Sequence, residues 1–166
     1  MTRIYLSATL PLLRELHETS KLPVSHAHAV TPGLREWYTE GDLEDLEYVA
    51  FTRAAQDSLW LLADQTGAPA RRVVVSVDLP DGEFTVRSGE LGASEVSVAA
   101  AVSLASVAAI HVDGADAVTD VTTARALIGA AADGDADARF IVEAAEDHEL
   151  EWYDPSELDE IITPSR

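Results

Sequence analysis

Apolar and polar residues alternate along RIYLSA, residues 3–8, where Ile4 and Leu6 lie opposite Tyr5 and Ser7, and this period of two predicts a short strand. The spacing then changes to that of a helix. Thr9 stands where a cap belongs, Pro11 suits a first turn, and Leu12, Leu13 and Leu16 form an apolar stripe that Pro23 ends. VSHAHAV, residues 24–30, returns to period two, with His26, His28 and Val30 on one face and Ala27 and Ala29 on the other. Thr31 followed by Pro32 predicts a short helix carrying Arg35, Trp37 and Tyr38. The longest helical pattern runs over 43–65 through Leu43, Leu46, Ala50, Ala54, Leu61 and Leu62, with Gly67 placed as a C-terminal glycine.

The second half continues in the same alternation of elements. RRVVVSVDLPDG predicts a strand with Val73, Val75, Val77 and Leu79 on one face, and its run of valines implies burial on both. FTVRS and EVSVAAAV predict weaker strands around Gly89 and Gly92, and residues 108–113 another. A helix on Ala117, Val121, Ala124, Ile128 and Ala131 ends at Asp133-Gly134. ARFIVEAAEDHELEWYD then predicts a helix to about Asp147 and a strand through Trp152. Asp154-Pro155-Ser156-Glu157 forms a capping box for a last short helix before Pro164. No repeat, heptad or linker divides the chain. The expected fold is one acidic α+β domain over residues 1–166, a mixed or antiparallel sheet of about five to six strands packed by one long and several short helices.

Composition narrows the function. At 166 residues and 47% hydrophobic, the chain is the size of one domain with an adequate core. Without cysteine it has no disulfide, thiolate zinc site or cysteine nucleophile. Its N-terminal apolar run is broken by Ser7, Thr9 and Pro11, and no apolar stretch approaches the ~18 residues of a membrane span; a cytoplasmic protein with no membrane partner is expected. Eleven basic and thirty acidic residues give a net charge of -19. Residues 1–83 hold seven basic and thirteen acidic groups, residues 84–166 four and seventeen. Such a field repels phosphates and anionic lipid, so direct nucleic-acid binding is not expected. The acidic C-terminal half serves either solubility or a basic protein partner.

Two segments carry candidate chemistry. His26 and His28 on one strand face offer two imidazoles to a metal, with His111 of HVD at 111–113 or His148 of EDHE at 146–149 to supply further nitrogen and oxygen ligands; the alternative is strand histidines without a ligand. LREWYTEGDLEDLEYV, residues 34–49, holds aromatic rings beside charge. Trp37, Tyr38 and Tyr48 with Arg35, Glu47 and the nearby His28 are candidate residues for a planar or anionic small molecule. Alternatively Trp37 and Tyr48 anchor helices to the sheet. Trp152, Tyr153 and the WLLA of 60–63 are expected in the core. The chain has no Gly-x-Ser-x-Gly, Ser-x-x-Lys, phosphate loop or GxGxxG, so no motif specifies a nucleophile or a cofactor.

The order of YLSATLPLL, HAVTPGLREWYTEGDLEDLEY, RRVVVSVDLP, SVAAIHVDGADA and AEDHELEWYDPSEL resembles a family of uncharacterised short acidic proteins from actinobacteria, which implies no activity. The element order also resembles small ADP-ribosyltransferase-like folds that bind NAD. That resemblance implies a site from Arg3 or Tyr5, Ser25 or His28, and Glu83 or Glu95. The expectation is a non-catalytic interaction or regulatory protein with an acidic surface. The alternative is a small-molecule or nucleotide-binding enzyme, ADP-ribosyltransferase-like or metal-dependent, using residues 26–48. A homodimer through a strand edge or the 43–62 helix fits either reading.

Overall fold

The alternating opening segment becomes β1 (Thr2–Ala8), and it lies in the middle of the main sheet. The computed structural model, which describes residues 1–163, continues through α1 (Leu10–Thr19), β2 (Lys21–Leu22), β3 (His26–Ala29), α2 (Pro32–Trp37) and α3 (Leu43–Asp64). After these come β4 (Val73–Leu79), β5 (Phe84–Val86), β6 (Glu95–Val98), β7 (Val102–Ser103) and β8 (Val107–Asp113). The chain closes with α4 (Val118–Ala132), α5 (Ala136–Glu146), β9 (Leu150–Tyr153) and α6 (Leu158–Ile162). Pro164, expected to stop the last helix, lies outside the described residues. Seven strands form one antiparallel sheet in the order β5-β6-β3-β1-β4-β8-β9, and β2 pairs with β7 in a separate ribbon. The α+β class is as expected, but the sheet has seven strands instead of five to six. Its outermost strands, β5 and β9, are three and four residues long; both segments were expected as strands, and both join the one sheet.

One face of the sheet holds the main core. Ile4 and Leu6 of β1, Val73, Val75 and Val77 of β4, and Ile110 and Val112 of β8 are buried there against Leu13 and Leu16 of α1 and Leu158 and Ile161 of α6. This face accounts for the alternation in β1 and β4, and β4 is buried on both faces as its valine run implied.

Helix α3 crosses the opposite face. A stripe at intervals of four, Ala50, Ala54, Ser58 and Leu62, is fully buried, and its small side chains bring the helix close to the strands. Two serines tie it down. Ser7 Oγ donates to the Ala54 carbonyl at 2.7 Å, while Ser58 Oγ donates to the Ala8 carbonyl at 2.8 Å and accepts from the Val73 amide at 2.9 Å. An Asp42–Asp45 capping box opens α3, and Gly67 does not close it: the cap is Gln65 at φ -108°. Instead Arg125 of α4 reaches back, its Nη2 donating to the carbonyls of Leu62 at 2.8 Å and Gln65 at 2.7 Å. This long-range arginine cap replaces the local glycine device. Helices α4 and α5 form a hairpin over the C-terminal half of α3, with Val121, Ala124, Ile128 and Ala145 against Leu59 and Leu62. Gly134, at φ +102°, makes the turn between them.

The large aromatics depart most from expectation. Trp152, expected in the core, is 60% exposed; Trp37 and Tyr48, read alternatively as helix anchors, are 58% and 64% exposed. Trp60, expected at a core helix end, is also exposed while its neighbours Leu59 and Leu62 are buried. Trp152 sits on the outermost strand, on the α3 side of the sheet but opposite His111, where no helix lies over it. Trp37 packs over Gly92 of the 87–94 loop instead of the sheet.

Candidate functional site

Because α3 covers only the middle of its sheet face, the part over β8 and β9 is left as a groove. Two adjoining cavities of about 420 and 290 Å³ meet there, and both are walled by Tyr48 and Phe51 of α3. The first is floored by side chains of β1, β4 and β8 that point toward α3: Arg3, Tyr5, Ser76 and His111, with Trp152 as its outer wall. The second runs along residues 146–150, with Gln56 and Arg72 opposite. Both lie within the size range of small-ligand sites.

Most polar groups of the floor are paired to one another. Arg3 holds Asp78 in a two-point contact, Nε to Oδ1 at 2.7 Å and Nη2 to Oδ2 at 3.2 Å. Tyr5 donates to Glu47 Oε2 at 3.2 Å, and Ser76 Oγ lies 2.9 Å from His111 Nε2. Phe51 meets the rings of Tyr5 and His111 edge-on and stacks with Tyr48. Burial, then the Glu47 carboxylate, pushes the Tyr5 phenol far above its ordinary value, so it keeps its proton and remains a donor. Burial, then Arg3, lowers His111 to about 4, and its imidazole is neutral at pH 7. In the second cavity burial raises the Glu146 carboxyl, while Arg72 works against that shift. Arg72 is itself committed to Asp113, Nε to Oδ2 and Nη2 to Oδ1, both at 2.8 Å.

The charge of the groove follows from this pairing. Arg3 is balanced by Asp78 and Arg72 by Asp113, leaving Glu47, Glu146, Asp147 and Glu149 beside the exposed rings of Tyr48 and Trp152. Carboxylates next to aromatic faces make a receptor for cations.

His111 also sets a pH signature. Unfolded, it takes up a proton near pH 6.5; folded, only near 4. Its contribution to stability is therefore complete above pH 6.5 and is lost as pH falls from 6.5 to about 4, by at most about 3 kcal/mol. Urea unfolding across this range is expected to show that loss in the wild type and a flatter profile in His111→Gln; parallel profiles would assign the loss to other groups.

The residues singled out from sequence are scattered. Glu47 and Tyr48 lie in the groove, with Arg3 and Tyr5 of the transferase-like set. Arg35 is exposed on α2, and Trp37 and Tyr38 line a separate depression with Glu40 and Asp45. His28 is buried on β3. The proposed metal ligands do not meet: His26 contacts Arg87, His28 lies 2.6 Å from Asp57, and His148 lies 2.7 Å from Asp120. Strands β3 and β9 are four steps apart in the sheet, roughly 19 Å, which separates His26 and His28 from His148. Among the described residues no group of three His, Asp or Glu is placed to hold a metal.

Sequence reasoning missed a linked set around His28. Its Nδ1 lies 2.7 Å from Ser94 Oγ, and Ser94 also accepts from Arg53 Nη1 at 3.0 Å. Since Asp57 can only accept, neutral His28 carries its proton on Nε2 and Ser94 donates to Nδ1. The order Arg53, Ser94, His28, Asp57 has the membership of a nucleophilic triad. Ser94, however, is fully buried, so no substrate carbon reaches its hydroxyl. Ser76 was missed too, and His111 and Glu146 were singled out only within candidate metal-ligand segments, not as members of this groove. Nothing local in the 108–113 strand segment named Ser76 as the partner of His111.

A seven-stranded antiparallel sheet with one helix laid across half of a face defines the class: an α+β domain with an open acidic and aromatic groove. The chain belongs to DUF6912, a family of unknown function whose model matches residues 2–162. No curated protein and no solved structure matches it. Among the described residues no helix is long and apolar enough to cross a membrane.

Proposed function

We propose that this protein is a non-catalytic binding protein whose groove receives basic side chains of a protein partner. The observation that carries the reading is the pairing of Arg3 and Arg72 with Asp78 and Asp113, which leaves exposed Tyr48 and Trp152 beside unbalanced carboxylates. A guanidinium or ammonium entering there lies against an aromatic face and near Glu47 or Glu146. The excess of acid in residues 84–166 adds long-range attraction for such a partner. The same charge disfavours a second copy of the chain as the occupant, since like surfaces would meet.

The test is binding of a fluorescent arginine-rich peptide at low salt, with a glutamate-rich peptide as control. Trp152→Ala is expected to weaken it by about tenfold, the scale of one desolvated cation–aromatic contact. Affinity should fall with added salt and as pH drops through the raised titration of Glu146, because a bound cation favours its ionised form. Binding that survives Tyr48→Ala, Trp152→Ala and neutralisation of residues 146–149 together would sink the proposal.

A further inference from the structure

A different cavity, of about 450 Å³, lies toward the C-terminal half of α3, between that helix, α1 and the segment 23–26. Its walls are largely apolar, with Leu12, Val24, Leu61 and the exposed ring of Trp60. Into this setting the fold places the half-exposed carboxylate of Asp57.

Asp57 is held in place. Its Oδ2 accepts from His28 Nε2 at 2.6 Å, and His28 is fixed in turn by Ser94 and Arg53. Arg53 Nη1 is anchored on the Gly92 carbonyl at 2.6 Å. Of the four linked side chains only Asp57 reaches this cavity, so a chain of donors behind it presents one oriented anion at an apolar wall. No lysine or arginine is among the lining residues, and the one lining imidazole, His26, is engaged by Arg87. Among the described residues Asp57 thus has His28 as its side-chain donor, and the cavity itself supplies no lysine or arginine to pair with it.

The geometry points to a binding site for a small organic amine: an ammonium group on Asp57, carried by an apolar body that lies against Trp60. A neutral ligand leaves the carboxylate without a charge partner, and an anionic one is repelled by it and by the net charge of -19. The volume suits a molecule of a single ring or a short aliphatic chain. This site shares no lining residue with the groove over β8 and β9 and stands whether or not that groove binds a basic partner.

Phenethylamine and its neutral counterpart 2-phenylethanol provide the test, by calorimetric titration of the full chain at pH 7. The amine is expected to bind about tenfold more tightly than the alcohol, the effect of an ion pair combined with a cation–aromatic contact. Asp57→Asn keeps an acceptor for His28 and is expected to abolish that preference. Val24→Phe, which narrows the cavity and leaves the carboxylate intact, is expected to weaken both probes. Equal affinities in the wild type, or no binding of either probe, overturn the inference. An amine preference unchanged in Asp57→Asn or in Val24→Phe overturns it as well, since the amine would then sit elsewhere on the acidic surface.

Discussion

Replacing Arg72 by methionine is expected to lower the unfolding free energy by about 3–5 kcal/mol, the range for removing one partner of a buried ion pair. Asp113 is wholly inaccessible, and its carboxylate collects the Arg72 backbone amide at 2.7 Å as well as the guanidinium. In the variant a buried anion retains one neutral donor. The cost arises from that stranded charge, so Arg72→Met with Asp113→Asn should be more stable than Arg72→Met alone. Urea unfolding of the two variants beside the wild type checks this; an Arg72→Met protein within about 1 kcal/mol of the wild type would contradict it. Arg72 Nη2 also donates to the His148 carbonyl at 2.9 Å, so the same substitution should loosen the 146–150 wall and weaken binding of a basic peptide.

The second large effect is expected at His28. Leucine fills a similar volume but makes neither hydrogen bond, leaving the fully buried Ser94 hydroxyl facing an apolar side chain and Asp57 without its donor. Among the described residues no buried side-chain nitrogen or oxygen lacks a partner; in His28→Leu the Ser94 oxygen still accepts from Arg53, but its hydroxyl proton has lost its acceptor. A loss of about 2–3 kcal/mol is expected. His28→Leu combined with Ser94→Ala should recover part of it, because the stranded hydroxyl is then gone. Strict additivity of the two substitutions in a double-mutant cycle would show that the side chains are not coupled.

The fold and the sites differed in how far local sequence could reveal them. Main-core residues recur at every second position in β1 and β4, so that face could be read from RIYLSA and RRVVVSVDL alone. Helix α3 announced itself through its apolar repeat. What period cannot encode is the neighbour. Trp152 has the composition of a core residue, and only the sheet order, with β9 outermost, explains its exposure. His28 was picked out as chemically loaded, but its partners Asp57 and Ser94 lie 29 and 66 positions away. Glu47 and Tyr48 were found as groove residues because they are adjacent on one helix. Ser76 and His111 were not, because their pairing depends on β4 lying beside β8.

The central place of β1 also shapes how the molecule is made. Strand β1 can pair early in synthesis with β3, where Ile4 meets Ala29, but its other neighbour begins only at Val73. Until then one edge of the nascent hairpin stays open, and β8 and β9 arrive later still. Such non-local pairing places folding toward the millisecond-to-second end of the range for single domains.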